Sequence, residues 1–102
     1  WSGHSQAALR AGVRQEAVDI VANFGSLDGL TDDERIIVRF GREVVGAHKL
    51  SQEAFDAAVS KHGEANTIVI GALMGHYTMM SCTLIATDTQ PDEGKPYLPK
   101  RP

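Results

Sequence analysis

With 102 residues, 42% of them hydrophobic and 23% charged, the chain has room for one domain with a modest core, and its composition is neither disordered nor collagenous. A net charge of −3, with ten Lys and Arg scattered along the sequence, builds no basic field, so nucleic acid is not an expected partner. The single cysteine, Cys82, rules out an intrachain disulfide and a CxxC redox pair, and the absence of a secretory series at the first residues makes the cytoplasm the expected location.

The apolar spacing is helical throughout, which predicts an all-α bundle of four to five helices. The first is short, with Ala7, Ala8, Leu9 and Ala11 as packing surface and Gly12 as C-terminal cap. A second runs from about Arg14 to Phe24, stopped by Gly25, with Ala17, Ile20, Val21 and Phe24 on its apolar side. Thr31-Asp32-Asp33-Glu34 reads as a capping box that starts a third helix, in which Ile37, Phe40 and Val44 form one stripe. Arg35, Arg39, Arg42 and Glu43 fall on its wet or inter-subunit side. Ser51 caps a fourth helix carrying Phe55, Ala58, Val59 and His62 before Gly63.

The fifth helix, from Glu64 or Ala65 to about Ala86, is apolar almost all round. It is long enough to span a bilayer, but Asn66, Thr67, His76, Thr78, Ser81 and Thr83 and the lack of basic flanks favour a buried core helix, with no membrane partner. Gly71 and Gly75 have the spacing that lets another helix approach closely. All four prolines lie at or beyond Pro91, so the expected division is a helical domain over 1–87 and an extended Pro-rich tail over 88–102, anchored by Tyr97 and Leu98.

Three groups of residues carry a family likeness. Trp1-Ser2-Gly3-His4 with Ala7, Ala8, Ala11, Gly12 and Val13 resembles the W-x-x-H…A…AG segment of the carboxymuconolactone decarboxylase and alkylhydroperoxidase-like family. Gly29-Leu30-Thr31-Asp32-Asp33-Glu34-Arg35 resembles its G-L-(S/T)-x-x-E-R/E helix start, and Gly75-His76-Tyr77-Thr78-Met79 is similar to its G-(aromatic)-Y-x-M segment. The likeness covers roughly residues 1 to 90. It implies further helices and an acidic residue before Trp1, so that this chain is the C-terminal portion of a longer unit. It also implies assembly into a homo-oligomer, a trimer or hexamer, and decarboxylase (lyase) chemistry on a small organic acid or lactone without a cofactor.

The resemblance makes His4 the candidate catalytic residue, since an imidazole moves protons near neutral pH; a histidine on a frayed terminal turn is the plain alternative. Trp1 would wall a pocket beside it or simply pack. His76 and Tyr77 are candidate substrate contacts, with a satisfied core hydrogen bond as the simpler role. His48 and His62 lie near helix ends, where partial positive charge is favourable, and no spacing of His, Cys, Asp and Glu suggests a metal site. The peroxidase branch of the family uses a C-x-x-C-x-x-x-H helix; the segment around His4 has no cysteine, which makes thiol peroxidase activity unexpected. The competing reading is a non-catalytic oligomeric scaffold or ligand-binding domain built on the last helix.

Overall fold

A computed structural model describes residues 1–100. Among them are five α-helices, one 3-10 turn and one π-helical stretch, and no strand; the protein is all-α. Of the tail expected over 88–102, the last two residues lie outside the described ones. The chain forms two compact units, one of residues 1–31 with those from 90 onward, the other Asp32–Thr89.

In the first unit, α1 (Ser2–Arg10) packs on α2 (Gln15–Asn23). Gly12, at φ +93°, closes α1: its N–H donates to the Leu9 carbonyl at 3.0 Å and that of Val13 to the Ala8 carbonyl at 3.0 Å. This pair of bonds needs a left-handed residue, which glycine supplies without a Cβ penalty. The end of α2 has the same pattern, but Phe24 rather than Gly25 takes the left-handed position, at φ 54°. Gly25 N–H then donates to the Ile20 carbonyl at 2.8 Å. Ala17, Val18, Ala22 and Leu30 are the buried apolar residues here. The turn Leu27–Gly29 comes so close to α2 that a Cβ on Gly29 would stand 2.8 Å from Ile20 Cδ1.

The second unit is α3 (Asp32–Gly41), the π-helical stretch Arg42–Ala47, α4 (Gln52–His62) and α5 (Glu64–Ala86). The widened turns end at His48, left-handed at φ 53°, and reverse the chain so that α4 lies along α3. Ser51 caps α4 as expected: its Oγ accepts the Ala54 N–H at 3.1 Å. Phe40, Ala54 and Ala58 are buried. A Cβ at Gly71 would be 3.9 Å from the Phe40 ring, so this glycine brings α5 onto the aromatic core of its own chain.

The expectation of a buried last helix is corrected. Only Thr67 of α5 is buried, and from Gly75 to Ala86 every residue is exposed. Its first half rests on α4 and the π-helical stretch; its second half extends past them. Asp88, at φ 49°, ends the helix, with Thr89 N–H donating to the Leu84 carbonyl at 3.0 Å. Beyond it, the tail to residue 100 has no helix or strand. Its expected anchors Tyr97 and Leu98 are 69% and 47% exposed.

Candidate active site

Trp1 stands at the start of α1, where it is also the residue whose carbonyl accepts the Ser5 N–H at 2.9 Å. Trp1, Ser5 and Leu9 recur at four-residue intervals, so they share one stripe of α1. That stripe forms one wall of a groove of about 220 Å³; Val18 and Ala22 of α2 contribute an apolar surface, and Tyr97 with its flanking prolines the tail side. Asp19 is the one charged side chain among the described lining residues, and its Oδ1 accepts from Gln15 Nε2 at 2.8 Å. Gln6, Gln15 and Asn23 supply amide groups. With two aromatic residues, an apolar surface and amide edges, and no Lys or Arg among the described lining residues, this groove suits the apolar or hydrogen-bonding part of a small molecule.

His4 is exposed on α1, three residues after Trp1 and therefore beside it on the helix surface. It is not among the residues that line the groove. The other two expected contacts belong to the second unit. His76 and Tyr77 are exposed on α5, not buried, and their rings meet edge to face with centroids 5.3 Å apart at 79°. Cys82 is exposed on the same helix. No group of three or more potential metal ligands occurs among the described residues.

A second cleft, of about 170 Å³, lies between α3 and α4, with Asp32, Arg35, Ile36, Arg39, Ala54 and Ala57 around it. Its two guanidinium groups are both engaged: Arg35 Nη1 donates to Asp32 Oδ1 at 3.3 Å. Arg39 Nε donates to Glu43 Oε1 at 2.9 Å, Nη2 to Glu53 Oε2 at 3.2 Å and to Ser51 Oγ at 3.4 Å. The second oxygen of Glu43 accepts the Ser51 backbone N–H at 2.7 Å. The two carboxylates hold the Arg39 proton more firmly than usual. Glu43 is in turn kept below its ordinary pKa, chiefly by the Ser51 N–H and then by Arg39; Glu53 is lowered by Arg39. The cluster is a clamp that ties α3 and the π-helical stretch to the start of α4. Periodicity had assigned Arg39 and Glu43 to a wet or inter-subunit side, and only the widened turns, which bring residue 43 to residue 51, show their role.

No protein-family model, curated protein or solved structure matches the chain.

Proposed function

We infer that the chain is a subunit of a carboxymuconolactone decarboxylase-like protein, acting in the cytoplasm as a carboxy-lyase on a small carboxylated lactone or related organic acid, without a cofactor. Two things support this reading. The ordered likeness at Trp1–His4, Gly29–Arg35 and Gly75–Met79 suggests the family, and the groove walled by Trp1, three residues before an exposed His4 that lies outside its lining, is the observation that carries the proposal.

In this scheme the apolar part of the substrate rests between Trp1 and the α2 surface. In an α,β-unsaturated lactone the bond to the departing carboxylate breaks, its electron pair is delocalised into the ring as a dienolate while carbon dioxide leaves, and His4 delivers a proton to that dienolate. The carboxylate stays on the open side, away from Asp19, the one charged side chain among the described lining residues. Loss of a positioned proton donor typically costs about 10²- to 10⁴-fold in rate, so His4→Ala is expected to lower turnover of a γ-carboxylactone by that order while the helical circular dichroism stays intact. Turnover unchanged in His4→Ala removes the histidine from the mechanism.

The second reading, a non-catalytic homo-oligomeric scaffold, is favoured by one specific observation, the exposed apolar length of α5. It shares with the first the expectation of a trimer or hexamer and differs in predicting no lactone turnover at all. Thiol peroxidase chemistry has no second thiol to resolve an oxidised Cys82.

A further inference from the structure

Gln15, Asp19 and Asn23 follow one another along α2 at four-residue intervals, about 6 Å per step. They run beside the apolar pair Val18 and Ala22, and all five line the groove of the first unit. The bonds within this row fix which atoms remain for a ligand. Gln15 Nε2 donates to Asp19 Oδ1 at 2.8 Å, and Asn23 Nδ2 donates to the Asp19 backbone carbonyl at 2.9 Å. A carboxylate and a carbonyl can only accept, so each amide commits its nitrogen to the row and leaves its oxygen uncommitted. Among the described residues, Asp19 Oδ2, Gln15 Oε1 and Asn23 Oδ1 make no hydrogen bond. What α2 offers the groove is therefore acceptor oxygens around one full negative charge.

The aromatic lining has the same sign. Trp1 from α1 and Tyr97 from the tail complete the groove, and the π-face of such a ring attracts cations. No Lys or Arg is among the described lining residues. Arg14, close by in sequence, is engaged by Glu16 and, at 3.2 Å, by the Gly29 carbonyl. An anion would be repelled by Asp19, and a neutral apolar molecule would leave the carboxylate unused. A bare metal ion would find a single carboxylate where several hard oxygen ligands are needed, and it would leave the apolar surface unused.

We propose that this groove binds a small organic cation, a protonated primary amine carried on an apolar body. Its ammonium group is held by Asp19 Oδ2 and a flanking amide oxygen, and its body lies on Val18 and Ala22 beside Trp1 and Tyr97. A primary ammonium brings three N–H donors to these acceptors, whereas a quaternary one brings none. The proposal goes beyond the lactone reading and does not rest on it: that reading draws on Trp1 and the apolar surface and gives Asp19 no task.

Trp1 is the only tryptophan of the chain, so its emission is a built-in reporter of the groove. Phenethylammonium added to the 102-residue chain at neutral pH should change that emission saturably, with a dissociation constant in the millimolar range because Asp19 is exposed. Amide NMR shifts over residues 15–23 should follow the same curve. Phenethyl alcohol, which has nearly the same shape and no charge, should bind on the order of tenfold more weakly, and phenylacetate more weakly still. Asp19→Asn should weaken phenethylammonium about two- to fivefold, the range of an exposed ion pair, and leave phenethyl alcohol as it was. Asp56→Asn is the matched control: Asp56 accepts from Gln52 Nε2 at 2.8 Å in the same i,i+4 arrangement on α4, outside the groove, and its loss should change nothing. Circular dichroism shows whether each variant is still helical. No saturable response of Trp1 or of the amides over 15–23, equal binding of the ammonium and the alcohol, or equal effects of Asp19→Asn and Asp56→Asn would overturn the proposal. Turnover enters none of these readings, so a failure here is separate from a failure of the His4 mechanism.

Discussion

Phe40 is the one large side chain buried in the second unit, at 4% exposure, and Phe40→Ala is the sharpest test of how that unit holds together. Truncating a buried phenylalanine costs about 3–5 kcal/mol, part from lost transfer and part from the cavity left behind. Relief by collapse is limited, since Ala54 and Ala58, the other buried apolar residues of the unit, have no side-chain length with which to fill the space. A domain of this size is stable by only about 5–15 kcal/mol, so the variant should lose about a fifth or more of its stability. Phe40→Leu should lose about 1 kcal/mol, because most of the volume is kept. Gly71 supplies the internal control: an added Cβ would sit 3.9 Å from the ring, an ordinary contact, and alanine gains about 0.8–1 kcal/mol of helix propensity over glycine. Gly71→Ala should therefore be neutral or slightly stabilising. Urea unfolding followed by far-UV circular dichroism at fixed protein concentration measures all three. A loss below about 1 kcal/mol in Phe40→Ala, or one above that in Gly71→Ala, contradicts the packing of α5 on Phe40.

Two further outcomes concern the α3–α4 clamp. Ser51→Ala removes the acceptor of the Ala54 N–H and should cost about 1 kcal/mol in the same unfolding assay, whereas Ser60→Ala, exposed inside α4, should cost less than half of that. The carboxyls of Glu43 and Glu53 are lowered from 4.5 in the folded chain, so their stabilisation is complete above that pH and is lost as pH falls through the lower folded values. Thermal scans from pH 6 down to pH 3 should show the wild type losing more melting temperature than Glu43→Gln, and the difference should shrink in high salt. Parallel pH curves would remove Glu43 from the clamp.

Much of the fold was legible because local rules were obeyed. Gly12 and Ser51 end and begin helices where their chemistry says they should. The stripe through Phe40 was found by its period and the fifth helix by its long apolar run. Where reading failed, a non-local or non-standard conformation had won. Phe24 takes a left-handed position that a glycine stands next to, and one residue of difference is below what spacing resolves. The π-helical stretch after Gly41 has no sequence signature of its own, so the function of Glu43 was hidden behind an ordinary helical phase. The last helix shows the deeper limit: apolar composition says that a surface seeks cover, not whether the cover comes from the same chain. For the candidate site, residue types and likeness pointed to Trp1 and His4; they gave no sign that Asp19 and three amides, with no basic group among the described lining residues, would line the groove beside Trp1.

The threonines of α5 add a last consequence. The hydroxyls of Thr67, Thr78 and Thr83 each donate to the carbonyl four residues earlier, at 2.8, 2.9 and 3.1 Å. Each proton is thus spent on its own backbone, and what the side chain offers outward includes a methyl group. The polar letters in this helix therefore overstate its affinity for water. On the proposed homo-oligomer reading, such a surface links folding to mass action, and melting temperature should then rise with protein concentration.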